Sequence, residues 1–431
     1  MAIDLRILAI PKNLAVGGSQ VNAVDFARAL RTRGHEVVVA SDDGPLRSKL
    51  DESGIEVRAL PRSETRTRRI AVMASLIRSV RPDVIHCYEV RQVLDACYAT
   101  KLVGGPPILG SILSTRVPWF LPESVHLTVG MPNLLEFTRR WRSGPVTLLQ
   151  PPIQVSNGVE AELPGQASLG SIRYLVVLVS RLVLPFKKEG ILRTISAMTD
   201  LAPKGFGLLL VGDGEARGTY ETAANTANRK IGHRGIAFSG ELLGPSAVFA
   251  SADIVIGNGA SVMTGVAHGK PAVVVGREGF SVVVNSSTLG DLVASGFYGV
   301  GQGSKEPDPL PAQILAAFEE SSPDKLAAAR DYVLARYGIE ETVERLERCL
   351  VGAASSAPLS VGELSRVPFR LLHYRWRRAR FRIQAESRGL EAEQADNFVY
   401  GRLRDMALPP SRFGTGRNRR SETQLPDDST A

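Results

Sequence analysis

The 431-residue chain has little cysteine and no long apolar run. Its three cysteines, Cys87, Cys97 and Cys349, are odd in number and lack metal-ligand spacing. Free cytosolic thiols are expected, not a disulfide framework or a zinc site. No apolar stretch reaches the length of about 18 residues that a membrane span needs. The N-terminus, MAIDLRILAIPKN, is broken by Asp4 and Arg6 and reads as a strand start, not a signal peptide. GxGxxG is absent after that strand, which argues against a dinucleotide-binding enzyme. No DxD motif occupies a suitable loop, so no metal site and no cofactor are expected.

What is present is ordinary for a globular protein: 44% hydrophobic residues, and length enough for two α/β domains plus an appendage. The net charge of +8 is uneven. Residues 355–431 hold fourteen Arg against nine acids, a net +5, which leaves the rest of the chain nearly neutral. A nucleic-acid partner is therefore not expected, since such proteins carry their basic residues on the folded body.

A strand-then-helix rhythm runs through both halves. In the first, strands are expected at Leu5–Ile10, Glu36–Ala40, Ile55–Leu60 and Asp83–His86, with helices at Gln20–Arg33 and Ile70–Val80. In the second, strands are expected at Tyr174–Val179, Phe206–Val211, Ile236–Ser239, Ile254–Ile256 and Ala272–Val275, with a helix at Gly190–Met198. Strands separated by helices imply parallel sheets covered on both faces. The expected fold class is α/β: two Rossmann-like, doubly wound domains facing across a cleft, over residues 1–160 and 161–350. A hinge is expected around Leu148–Gly165. Asp324–Leu350 reads as two helices broken near Gly338, the last crossing back to the first domain. Residues 351–431 read as a basic, partly disordered extension, disordered over Ser411–Ala431 and dispensable for folding.

The most informative stretch is Ala252–Gly276, ADIVIGNGASVMTGVAHGKPAVVVG. It reads as strand, glycine-broken loop, short helix, strand. Glycine at a strand end lets the backbone approach a ligand, and the helix start after it offers free N–H groups to an anion. Asn258, Gly259, Ala260 and Ser261 are candidate phosphate or sugar ligands; the plainer reading is a turn without a ligand.

These pieces resemble retaining GT-B glycosyltransferases of the family 4 type. The residues carrying the resemblance are Val16–Ser41 (VGGSQVNAVDFARALRTRGHEVVVAS), Arg81–His86 (RPDVIH), Val179–Gly190 (VSRLVLPFKKEG), Leu208–Glu215, Ile236–Leu242, Ser251–Gly257 and His268–Gly276. They span roughly residues 5–350, in the family's order. The resemblance implies metal-independent transfer of a sugar from a nucleotide-diphosphate sugar, with retention, to an acceptor. It also exposes a departure. Aligned on Gly269 and Pro271, the family's donor-site glutamate falls on Thr264, which offers one hydroxyl where a carboxylate would meet the ribose. A catalytically impaired homologue acting as a binding or partner subunit is the alternative.

Residue by residue, Arg181 and Lys187 are the expected catalytic cations, stabilising charge that develops on the leaving diphosphate. The plainer reading is two solvated loop cations. His86 is the third catalytic candidate, set against a structural strand-end histidine. Gly17 and Gly18 are expected to let the backbone approach acceptor or phosphate, set against a tight turn. Thr264 and Leu242 complete the expected substrate contacts. Asp213 in VGDGE reads as turn chemistry. The basic, aromatic segment Phe369–Arg382 could lie on an anionic membrane, set against a solvated or packed helix. That contact would suit a cytoplasmic enzyme at the inner face of the membrane, acting on a lipid-linked or envelope-glycan acceptor.

Overall fold

The structure is a computed structural model. It describes residues 4–403 except 62–64, 156–163, 185–186, 245, 300, 302, 305, 357–358, 391–394, 396–397 and 400–401. The chain forms two compact units. The first takes the described residues up to Pro152 and again from Tyr337; the second takes Ile153–Arg336.

The first unit alternates β1 (Arg6–Ile10), α1 (Gly18–Thr32), β2 (Glu36–Ser41), α2 (Arg47–Glu52), β3 (Glu56–Ala59), α3 (Arg66–Val80), β4 (Val84–Tyr88) and α4 (Glu89–Val103). There follow β5 (Ile108–Ile112), β6 (His126–Val129), α5 (Pro132–Arg139) and β7 (Val146–Leu148). The sheet order is β3-β2-β1-β4-β5-β6-β7, and each recorded pairing is parallel. Successive strand residues point to opposite faces, and both faces are covered. Leu8, Ile10, Val38 and Ile85 pack with Met73, Ile77 and Val93 of α3 and α4. Ile7, Val37, Val39 and Val84 pack with Phe26 and Leu30 of α1.

The second unit holds β8 (Tyr174–Val179), α6 (Lys188–Leu201), β9 (Phe206–Val211), α7 (Arg217–Ile231), β10 (Ile236–Gly240), α8 (Ser246–Ser251), β11 (Ile254–Gly257), α9 (Ala260–Ala267), β12 (Ala272–Val275) and β13 (Ser281–Val283). Its order is β10-β9-β8-β11-β12-β13, parallel except for the β12–β13 pair. Helices α10 (Leu289–Ala294), α11 (Leu310–Glu319) and α12 (Pro323–Tyr337) complete it.

Two expected boundaries move. The first unit ends at Pro152, not 160; part of the expected hinge, residues 156–163, lies outside the described residues. The second unit ends at Arg336, not 350. The reason is helix α13 (Ile339–Ala354), whose Val343, Leu346, Leu350 and Ala353 are fully buried against the α1 side of the first sheet. Arg33, which caps the C-terminus of α1, fixes it with two 2.7 Å bonds to the Glu347 carboxylate, which His35 meets at 3.0 Å.

The extension also differs from expectation. Residues Val361–Glu386 form a helix, α14, and its Leu364 and Val367 are 6% and 1% exposed in the core of the first unit. Tyr374 stacks edge-on against Phe120 at 5.1 Å, and Glu363 accepts a 2.5 Å hydrogen bond from Ser124 Oγ. Ser411–Ala431 lies outside the described residues.

His86 is a further correction. Expected as the last residue of its strand, it lies in the middle of β4 and is 1% exposed. Its Nε2 is 2.7 Å from Ser111 Oγ on β5, which is 2.7 Å from Thr128 Oγ1 on β6. Burial holds its imidazole neutral, its pKa lowered to about 3. A ladder of three polar side chains inside a parallel sheet satisfies its own members. His86 is therefore buried, with its Nε2 engaged inside the sheet.

The packing of α14 makes a prediction that reverses the sequence expectation. Leu364→Ala should destabilise the protein by about 2–5 kcal/mol, the range for emptying a buried leucine site. Denaturant unfolding of the full chain measures it, and a loss under about 0.5 kcal/mol would return α14 to the status of a dispensable tail.

Candidate functional site

In the second unit, β8 is flanked by β9 on one side and β11 on the other. Connections leave β8 in opposite directions there, which opens a crevice at the carboxyl ends of the strands. A small hollow occupies this switch point, walled by Ser180 after β8, Lys187 and Gly190 at the start of α6, Gly257 and Asn258 after β11, and Gly276 after β12.

Lys187 is half-buried, and its ammonium donates to Asn258 Oδ1. Enclosure lowers its pKa to about 8, and the nearby Arg181 cation pushes the same way. Arg181 itself is exposed. The segment carrying it is held by Ser180 N–H to the Val211 carbonyl (2.9 Å) and Leu182 N–H to the Asp213 carbonyl (2.9 Å). Gly212 is essential to that contact: at φ +135 a Cβ would stand 2.0 Å from the Ser180 carbonyl oxygen. Asp213 makes turn contacts, accepting from Gly214 N–H at 2.7 Å and Arg217 at 2.9 Å. These bonds, the Gly214 one foremost, lower its pKa.

The loop from Asn258 to Ser261 begins α9, whose first-turn N–H groups have no helical partner. Gly259 takes φ +60, a conformation glycine adopts without strain, but its N–H is committed to the Phe297 carbonyl at 2.6 Å. The amide of Gly259 is thus unavailable to a ligand. Ser261 Oγ donates back to the Asn258 carbonyl at 3.0 Å. Thr264 Oγ1 donates to the Ala260 carbonyl at 2.8 Å, so its one proton is spent within its own helix. Leu242 is half-buried after β10 and lines no part of the hollow.

Sequence reasoning missed Glu189, on the first turn of α6. Its carboxylate accepts from Glu278 N–H at 2.9 Å and Gly279 N–H at 2.8 Å, tying the β12–β13 turn to α6. An acid beside the Lys187–Lys188 pair was the available signal.

The first unit repeats the geometry. Its switch point lies between β1 and β4, and a cavity of about 330 Å³ sits there, lined by Lys12, Ser19, Arg69, Glu89, Val90, Arg91, Gln92 and Ser114. Gly17 is extended (φ 178), and a Cβ at Gly18 would meet open space, so neither is required by backbone conformation. Ser19, next in line, is the residue that reaches the cavity. Glu89 takes φ +71, strain of order 1–3 kcal/mol for such a residue. Burial raises the pKa of its carboxyl against hydrogen bonds from Ser114 and the backbone of Leu113 and Ser114. No motif in the sequence pointed to Glu89 or Arg69.

The sequence profile described as Glycosyltransferase Family 4 matches residues 16–119. No curated protein matches the chain by sequence. A glycosyltransferase from Rickettsia africae is similar in structure at TM-score 0.63 and 14% identity, covering 82% of this chain and 100% of its own. Anabaena HepE bound to UDP-glucose is similar at TM-score 0.58 and 15% identity, covering 81% and 100%. A Listeria monocytogenes protein described as a UDP-N-acetylglucosamine 2-epimerase is similar at TM-score 0.56 and 14% identity, covering 80% and 95%. At these identities the likeness speaks for the fold: two parallel-dominated sheets with flanking helices, as in GT-B glycosyltransferases.

Proposed function

We propose that the chain is a retaining, metal-independent glycosyltransferase that takes its sugar from a nucleotide-diphosphate donor. The observation that carries this reading is the pairing of Lys187 with Asn258 at the second switch point. A largely desolvated ammonium is held there by a neutral amide, beside the Arg181 cation. Two cations without a paired carboxylate among the described residues favour a diphosphate. As the glycosidic bond breaks, negative charge grows on the leaving phosphate, and in this reading Lys187 and Arg181 stabilise it. Positive charge supplied by side chains is what makes a metal unnecessary in this reading. The Listeria neighbour allows an epimerase on the same fold; the profile match over residues 16–119 favours transfer.

Lys187 sets a pH dependence. It is charged below about pH 8 and neutral above, so affinity for UDP should fall as pH rises from about 7 to about 9. Calorimetry should show the fall in the parent chain and none in Lys187→Gln. Arg181→Ala should weaken UDP by about 1.5–3 kcal/mol, the range for a charged hydrogen bond. A flat profile, or unchanged affinity in Arg181→Ala, removes these cations from the site.

Thr264 favours a second reading, that of a weakened homologue acting as a binding or partner subunit. With its proton given to Ala260, its hydroxyl can only accept from a ribose. Neutral hydrogen bonds contribute about 0.5–1.5 kcal/mol and charged ones about 1.5–3. Thr264→Glu should therefore tighten UDP-glucose binding by about tenfold. Looser binding in a folded variant would favour the partner-subunit reading.

The acceptor side brings in the membrane. Among the described residues no helix is long and apolar enough to cross one. Helix α14, however, has two apolar faces. Opposite its packed side, Phe369, Leu372, Trp376 and Ile383 are 54–76% exposed. Arg370, Arg375, Arg377, Arg378, Arg380 and Arg382 flank them, with no acid between Glu363 and Glu386. We read this face as resting on the anionic inner surface of a membrane, near a lipid-linked or envelope acceptor. The double variant Phe369→Ser/Trp376→Ser spares the packed face. It should lose co-sedimentation with phosphatidylglycerol vesicles while keeping its thermal midpoint; equal sedimentation would end the membrane reading.

A further inference from the structure

The cavity at the first switch point is overcharged. Lys12, Arg69 and Arg91 line it against the single carboxylate of Glu89. Behind it, Asp95 is wholly enclosed and shared by three guanidiniums: Arg66 at 2.8 Å, Arg69 at 3.4 Å and Arg91 at 3.7 Å. One negative charge cannot neutralise three. Arg69 is 2% exposed, and its Nε makes no hydrogen bond even to Asp95. Burial lowers its pKa, and repulsion from Arg91 comes next, ahead of any attraction from Asp95 or Asp42. A buried, incompletely compensated cation is costly unless an anion joins it.

The exposed cations are placed to receive that anion. Lys12 is exposed on the loop after β1, and Gln92 Nε2 donates to its carbonyl at 3.4 Å, tying the loop to α4. Arg91 is about half exposed. Ser19 also lines the cavity, at the start of α1, with its hydroxyl donating to Gln20 Oε1 at 2.9 Å. Glu89 is the carboxylate of the lining, and Gln92 Oε1, buried and without a hydrogen-bond partner, is a second acceptor there for a hydroxyl. The volume of about 330 Å³ falls in the range of small-molecule pockets.

We propose that this cavity binds a phosphate ester of a polyol or sugar. Lys12 and Arg91 hold the phosphoryl group over the buried Arg69, and Glu89 accepts from a neighbouring hydroxyl. Resting on the transferase reading, this names the acceptor class as phosphorylated. The binding claim itself needs no turnover, so it can be tested apart from that reading.

Calorimetry on the full chain, saturated with UDP, should detect glycerol 1-phosphate and not glycerol. Lys12→Gln and Arg91→Gln should each weaken the phosphate ester by about tenfold or more, as loss of a charged hydrogen bond does. Their UDP affinity should be unchanged, which shows that they fold. Soluble dihexanoyl phosphatidic acid separates the two sources of the group: binding tighter than glycerol 1-phosphate assigns a lipid headgroup, and weaker binding a free phosphate ester. The proposal is overturned if neither phosphate ester binds, if both substitutions leave binding unchanged, or if UDP displaces the ester. Failure of the parent chain to bind UDP would instead count against the donor reading and leave this site standing.

Discussion

Lys187 is the constraint around which the second unit is arranged. An ammonium enclosed at the end of a parallel sheet carries a desolvation penalty, and here a neutral amide and a second cation are its neighbours. The surrounding contacts keep it there. Glu189, two residues on, anchors α6 to the β12–β13 turn through two backbone N–H groups. The Gly212–Asp213–Gly214 turn holds the Ser180–Leu182 backbone, and with it Arg181. Each of these contacts lies one step from the hollow and touches no ligand position itself. Positive charge held rigid before any anion arrives need not be reorganised as negative charge develops.

The two units solve the same problem with different balances of charge. Both place their cavity where strand order reverses, because that is where adjacent loops part. The hollow of the second unit pairs its buried cation with an amide. Behind the cavity of the first, the enclosed Asp95 is shared by Arg66, Arg69 and Arg91, and the last two line the cavity. Glu89 adds a strained carboxyl at its rim. A sheet edge alone would need none of these features.

Much of the fold was legible because strands buried on both faces read as unbroken apolar runs. Tyr174–Val179, Phe206–Val211 and Ala272–Val275 have the limits expected from sequence. Strands β5 and β6 were not legible for the converse reason. ILGSI and HLTV carry Gly110, Ser111 and Thr128 at fully buried positions, and those polar residues fit only because His86 lies beside them. The same ladder explains why His86 read as a site residue: a histidine at a strand end looks functional until its partners on two other strands are known. Order and spacing singled out Arg181, Lys187 and Asn258, and of these Lys187 and Asn258 meet. Arg69, Arg91 and Glu89 were not, since their convergence depends on α3 and α4 packing side by side.

Helix α14 shows how composition can hide periodicity. Leu364, Val367, Leu371 and Tyr374 recur at helical spacing on the face that packs into the first core, and Phe381, further along, packs with Val399 and Leu403. Arginine is dense enough among them to lower the mean hydropathy and make the segment resemble a solvated tail. Arginine is also what permits the arrangement. The guanidiniums of Arg377 and Arg380 lie over the Trp376 ring, 5.3 and 5.7 Å from its centre, so charge and aromatic surface share this face. A helix with one apolar face in the core and another in solvent would ordinarily invite aggregation. A ring of like charges around the outer face opposes association with a second copy, so the same residues that obscured the helix in the sequence keep its outer face apart from its like.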